Sequence, residues 1–363
     1  MTPKSVPSVS VIMPVYNGQD FLRVSVGSIL QQTLKNLEFI IIDDGSTDNT
    51  MDVLSDLAAS DDRIRLLSNP NRKGIAKSLN QCAKIARASF LARMDVDDRA
   101  RKNRFDLQLI KFEKDPHLVV CGSNVVHTDA VFHPLYRTIL PTSDLEIRRG
   151  CFLENPFAHS SVMIRAAAFE AVGGYCESLD VAQDYELWNR LLTHGTACNI
   201  VQPLMELRRH QKSVSTRSSV KQIDTACAIQ ASLCGDLLEI DDFSLLMFKN
   251  IRTHLYWGFN ASRRKGSSGA EAVRDALRLV EVIERVFPST EDSKLGTNIH
   301  GRCLISILRS PFQISKVAAA INLIKLHGLS PFKGAASLLF EFMRTRGFWL
   351  ELKRRLFKDL DAE

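Results

Sequence analysis

The chain has no C-x-x-C pair. Its eight cysteines, scattered from Cys82 to Cys303, indicate neither a zinc site nor a disulfide framework, and a reducing cytoplasm is the simplest setting. Nowhere do about 18 uncharged apolar residues follow one another, and the N-terminus has no apolar run of signal-peptide length, so no bilayer crossing is expected. Low-complexity tracts are missing too. The 363 residues are 45% hydrophobic and 24% charged, which is enough apolar material for one large domain or two. Charge of one sign is in small excess: a formal +6 suits a nucleotide or an anionic membrane surface without choosing between them.

What is present begins with alternation. Val9 to Pro14 is a β-branched run ending in the turn Tyr16-Asn17-Gly18, and Phe21 to Gln32 puts Leu22, Val26, Ile29 and Leu30 on one helical face. Leu37 to Ile42 reads as a buried strand ending at Asp43-Asp44-Gly45-Ser46, followed by a helix from Thr47 to Leu57. A third cycle runs through Ile64 to Leu67, the loop Asn69 to Gly74, and a helix to about Ala88. Strands alternating with helices imply a wound, mainly parallel sheet.

The most informative stretch follows. Met94-Asp95-Val96-Asp97-Asp98 places three carboxylates in four positions straight after the apolar-flanked segment Ala88 to Arg93. Carboxylates this close repel one another unless a donor or cation shares them, and oxygen ligands of this kind suit Mg²⁺ or Mn²⁺. An isolated run of this sort would more often be a solvated acidic loop. Ligands of open α/β sheets, however, collect at the carboxyl ends of the strands. Pro14 to Gly18, Asp43 to Ser46 and Asp95 to Asp98 all fall at such ends, so the three clusters are expected to converge.

Val11 to Asn17, Ile42 to Asp48 and Met94 to Asp98, in this order and spacing, resemble the inverting glycosyltransferases of family 2. The likeness continues through Arg104 to Gln108, Asp115-Pro116, Cys121 to Ser123, Asn155 to Arg165, Gly173 to Tyr175, Gln183 to Trp188 and Leu207 to His210. It covers about residues 7 to 215. The resemblance implies the GT-A fold, a three-layer α/β sandwich with a mainly parallel sheet, and helical periodicity beyond it adds an α-helical C-terminal extension. It divides the chain into a catalytic domain, 1–216, and a helical region, 217–363.

The resemblance also implies roles. Asp44 would accept a hydrogen bond from the donor's base, uracil by expectation, with Pro14, Val15 and Tyr16 lining the base pocket and Asp43 in a structural turn. Asp97 would ligate Mn²⁺ or Mg²⁺, Asp95 would reach the ribose or sugar, and Asp98 would support one of them. Asp184 matches the base that takes the acceptor's proton, although Gln183 stands where an acidic residue often precedes it. His210 would supply a metal ligand or a phosphate donor and Arg209 would neutralise phosphate, unless the block is a plain surface basic cluster. His159 is expected in a structural hydrogen bond and Glu186, two positions along a helix from Asp184, in an ion pair. Trp188 belongs to the buried helix face or stacks on an acceptor sugar.

Beyond about Thr216 the resemblance fades into helical periodicity, from Ile223 to Ile240 and from Ala270 to Phe287. About Gly334 to Lys358 shows an apolar stripe flanked by Arg and Lys, which reads either as an interfacial helix or as one packed internally. The expected protein is an inverting, metal-dependent transferase moving a sugar from a nucleotide donor to a glycan or lipid-linked acceptor. It would work in the cytoplasm, with peripheral contact to the inner membrane as one reading and no nucleic-acid partner. Two rival classes remain. A sugar-1-phosphate nucleotidyltransferase should open with a Gly-rich phosphate loop, which Pro14 to Gly18 is not. An inactive nucleotide-sugar-binding protein could dispense with the base, and Asp184 is present.

Overall fold

The computed structural model describes residues 6–210, apart from residue 153, and 219–238. Strands β1 (Val9–Val15) and β2 (Leu37–Asp43) are apolar along almost their whole length because both faces of the sheet are covered. Successive side chains serve opposite cores. Val11, Met13, Phe39 and Ile41 pack with α1 (Leu22–Leu30), α2 (Thr50–Ser60) and α4 (Arg104–Lys114). Ile12, Ile40 and Ile42 pack with α3 (Ile75–Lys84), α5 (Asp144–Cys151), α6 (Ala166–Ala171) and α7 (Gln183–Leu191). Each fully buried aliphatic or aromatic side chain contributes about 1.5–3 kcal/mol, so this double covering is what holds the three layers together.

The remaining strands are β3 (Ile64–Ser68), β4 (Phe90–Arg93), β5 (Arg99–Ala100), β6 (Leu118–Thr128), β7 (Pro134–Thr138), β8 (Met163–Arg165) and β9 (Thr196–Arg208). Among the described residues they form one nine-stranded sheet in the order β3-β2-β1-β4-β8-β6-β9-β5, with β7 paired to β6. The parallel arrangement expected from the sequence holds for β3, β2, β1 and β4. Beyond them the sheet is mixed: β8 runs antiparallel to both β4 and β6, β6 and β9 are parallel, and β5 and β7 are antiparallel additions. The reversal at β8 carries the short 3-10 turn His159–Ser161 back beside the end of β4, where the acidic segment starts.

Helix α2 begins at Thr50, three residues later than the periodicity suggests. Ser46, Thr47 and Thr50 are engaged with the loop after β1: the Asn17 N–H donates to Ser46 Oγ, the Thr47 N–H to Asn17 Oδ1 and the Gly18 N–H to Thr50 Oγ1. The first helix of the C-terminal region, α8 (Ser219–Leu238), packs on the catalytic core. Ala226 and Cys227 are buried, and Gln230 Nε2 donates to the Phe152 carbonyl at 2.9 Å. The compact unit that holds the sheet runs through Glu239. The segments expected from Ala270 to Phe287 and from Gly334 to Lys358 lie outside the described residues. No described helix is long and apolar enough to cross a membrane.

Candidate active site

The loops after β1, β3 and β4 line a cleft of about 890 Å³, within the range of small-ligand sites, and the Asp43–Ser46 turn after β2, expected to converge there, is not among its lining residues. Asp44 anchors one wall without facing the cleft. It is 3% exposed, and its carboxylate accepts from Asn69 Nδ2 (2.9 Å), the Lys73 N–H (2.9 Å) and the Gly74 N–H (2.8 Å). These bonds pin the Arg72-Lys73-Gly74 loop against the β2 turn, and Gly45 makes the approach feasible. At φ +75°, a Cβ on Gly45 would lie 2.9 Å from backbone atoms of Asn71 and Arg72. The loop holds the Arg72 guanidinium 4.1 Å from the Tyr16 ring centroid, a cation–π pair at the cleft. Of the expected base pocket, Tyr16 is therefore at the cleft. Val15 is not: at 1% exposure its side chain lies in the core, and half-buried Pro14 is paired with Ile42. Asp43 accepts from the Ser46 N–H, as its structural role anticipates.

The acidic segment is held from below. Arg93, at 1% exposure, donates from Nη2 to Asp95 Oδ1 at 2.5 Å. Asp98 is buried, accepting from Ser160 Oγ at 2.5 Å and from the Arg208 N–H at 3.2 Å. Its carboxyl is pushed well above the usual range by burial first and by Asp97 and Asp95 next. Asp97 is also raised, by burial and then by Asp95, against the pull of His210. Arg104, fully buried, donates to the Arg93 and Val162 carbonyls, and burial lowers its guanidinium to about 9. Arg93 and Ser160 were not singled out from the sequence. Both lie within quoted segments, Ala88 to Arg93 and Asn155 to Arg165, without a role of their own.

Asp97 and His210, 113 residues apart, come together: His210 Nε2 lies 2.8 Å from Asp97 Oδ2. The imidazole rests against the Phe21 ring at 4.7 Å. Its Nδ1 is buried with no partner among the described residues. The Asp97 carboxylate suits Mn²⁺ or Mg²⁺, hard ions held through one or two carboxylates with substrate phosphates and water completing the shell, whereas the His210 imidazole is a softer donor. No group of three or more His, Cys, Asp or Glu side chains placed for a metal occurs among the described residues, so a donor's diphosphate would have to supply the rest.

Asp184 enters the same cleft at the start of α7. Ala182, just before the helix, sits in the left-handed region at φ +56°, a conformation that costs a non-glycine residue about 1–2 kcal/mol and fixes the angle at which α7 begins. Asn155 Nδ2 donates to Asp184 Oδ2 at 2.7 Å. Burial raises the Asp184 carboxyl above its ordinary value, outweighing the hydrogen bonds from the Tyr185 N–H and Asn155 that lower it. A raised carboxylate in a cleft suits proton abstraction. Glu186 pairs with Arg190 at 2.5 Å. Trp188 is 0% exposed and packs edge-on to Phe157, which leaves no face for an acceptor sugar. His159 bonds the Tyr175 hydroxyl at 2.8 Å, and burial holds it neutral.

Arg209 is exposed at the cleft rim, held by the β6–β7 hairpin. Its Nη2 donates to the Tyr136 hydroxyl at 2.6 Å and its Nε to His127 Nδ1 at 3.3 Å. Burial lowers His127 to about 4, so it accepts as a neutral ring, stacked on Tyr136. No sequence signal marked the hairpin.

The model of glycosyl transferase family 2 matches residues 10–173. EpsE of Bacillus subtilis (strain 168), which carries a glycosyltransferase name, is 32% identical over 254 residues, covering 69% of this chain and 90% of EpsE. A chondroitin synthase of Pasteurella multocida (strain Pm70) is 28% identical over 305 residues, 81% of this chain and 29% of that protein. Among solved structures, S. aureus TarS 1–349 in complex with UDP-GlcNAc superposes with a TM-score of 0.53 at 14% identity, over 77% of this chain and 82% of that one. The shared fold is GT-A, and the chain belongs to glycosyltransferase family 2.

Proposed function

We propose that this glycosyltransferase catalyses metal-dependent, inverting transfer of a sugar from a UDP-sugar to a hydroxyl of a glycan or lipid-linked acceptor in polysaccharide synthesis. The observation that carries the reading is that the raised Asp184 carboxylate opens into the cleft that also holds the Asp97–His210 pair. The UDP-GlcNAc complex of TarS supports a uridine donor, and the chondroitin synthase relative supports a sugar acceptor. Arg72 and Tyr16 flank the base, with Asp44 fixing the loop that presents them. Asp95, neutralised from beneath by Arg93, faces the ribose or sugar, and Arg209 takes phosphate charge at the rim. Bound Mn²⁺ or Mg²⁺ would act as a Lewis acid, offsetting charge on the leaving diphosphate. Asp184 removes the proton from the attacking hydroxyl on the side away from the diphosphate, which inverts the anomeric carbon.

The test is a panel of nucleotide sugars incubated with Mn²⁺ and candidate acceptors, with the product anomer read by NMR. An inverted product from a UDP-sugar is expected. A retained anomer, or turnover unaffected by EDTA, would sink the reading.

A further inference from the structure

A second cavity, of about 680 Å³, opens where α1 faces β5 and the turn after it, and no role assigned above uses it. Its charged side chains are Arg23, Arg99, Arg101, Lys102 and Glu206. Four cations face one carboxylate. Glu206 is shared between Arg99 at 2.5 Å and Arg101 at 3.4 Å, so it cancels only one of those charges. Asp56 lies 3.6 Å from Arg23, but both side chains are about two-thirds exposed and the pair is weak. The excess is positive and would concentrate an anion.

The floor gives an independent sign. Gly27 stands inside α1, where glycine weakens a helix relative to alanine, yet a Cβ built on it meets nothing within 4 Å. Packing within the protein therefore does not demand glycine there. A bare backbone leaves room for a ligand to lie against the helix. Phe132, itself at φ +68°, divides this groove from the cleft: Arg99 on the groove side and Arg208 on the cleft side each hold their guanidinium carbon 4.1 Å from its ring centroid.

We propose that this groove binds a phosphate-bearing ligand, with the phosphate among Arg23, Arg101 and Lys102 and the atoms next to it lying along Gly27. Guanidinium forks and an ammonium are the groups that recognise phosphate oxygens. The phosphate could belong to an anionic lipid headgroup or to a soluble molecule, and the two sources are separable by experiment.

The full chain is titrated with inorganic pyrophosphate in EDTA by calorimetry, and is sedimented with phosphatidylglycerol or phosphatidylcholine vesicles. Saturable binding of pyrophosphate would assign a soluble ligand. Cosedimentation with phosphatidylglycerol vesicles alone would assign a headgroup. In either arm Lys102→Glu should weaken binding roughly ten-fold or more, because reversing one surface charge near phosphates removes one attraction and adds one repulsion. Gly27→Leu should do the same by filling the groove while leaving the thermal unfolding midpoint near that of the parent. The proposal is overturned if neither probe binds, if both variants bind like the parent, or if Arg209→Ala abolishes binding while the groove variants do not, since that would place the anion in the cleft.

Discussion

Strands β1 to β4 and strands β6 to β9 meet at one cleft but hold their functional groups differently. In the first half, groups are fixed largely through backbone N–H groups: Asp44 grips those of Lys73 and Gly74, Asn17 is tied to the Ser46–Thr47 turn, and Asp95 leans on the Arg93 side chain two residues away. In the second half, each group depends on a side chain brought from far along the chain. Asp184 is set by Asn155, Arg209 by Tyr136, and the turn residue Ser160 reaches back to Asp98. The contrast teaches that the first half is latched mainly through backbone N–H groups, whereas the second is set by pairs of side chains.

The comparison can be broken most sharply at Asp184. Asp184→Asn, similar in shape but unable to take a proton, should lower turnover about 10²-fold or more with UDP affinity unchanged. A collapse of UDP affinity instead would place Asp184 on the donor side. Next in size is Asp97→Ala, which should weaken UDP binding in Mn²⁺ by about ten-fold or more and leave binding in EDTA unaltered. Calorimetry with equal affinities in Mn²⁺ would remove Asp97 from the metal site.

Asp44→Ala tests the rigidity of the first half. It strands the Lys73 and Gly74 N–H groups and Asn69, and should cost about 1–3 kcal/mol in urea unfolding. An unchanged midpoint would mean that the loop is not latched by this carboxylate. A pH profile sharpens the second half. Because Asp184 is held above its ordinary value of 3.8, the acidic limb of kcat/KM should lie above that value, activity falling as pH drops through it and the base becomes protonated. Asn155→Ala removes a hydrogen bond that lowers this carboxyl, so the limb should move to higher pH. A shift to lower pH would contradict the assigned contact. The smallest effect is expected from Tyr136→Phe, which removes one hydrogen bond to Arg209. At about 0.5–1.5 kcal/mol, it should raise the donor KM by no more than about ten-fold with kcat steady.

Legibility follows the same division. The runs Val9 to Pro14 and Leu37 to Ile42 announce themselves because strands covered on both faces need apolar residues at every position. Strands β7 and β9 do not: β7 is exposed along most of its length and β9 mixes buried with exposed positions, so neither has a clear period. Within the site, Asp97, Asp184 and His210 stand out through the family motifs, but which side chain each one pairs with does not. Nothing in the sequence links Asn155 to Asp184 or Tyr136 to Arg209, since a side-chain hydrogen bond across 29 or 73 residues leaves no local pattern. Asp44 is expected from the motifs to face the donor's base, whereas its oxygens accept from Asn69 and from the Lys73 and Gly74 N–H groups.

By itself, then, the sequence determined the alternation of strands and helices, the covering of both sheet faces, and the family motifs at the strand ends, because each depends on residues close together in the chain. Only the tertiary structure decided the reversal at β8, the seating of Arg93 under Asp95, the meeting of Asp97 with His210, and the basic groove along α1. Those features arise where distant segments are packed together, and their energies are set by burial and by charges that no local window contains.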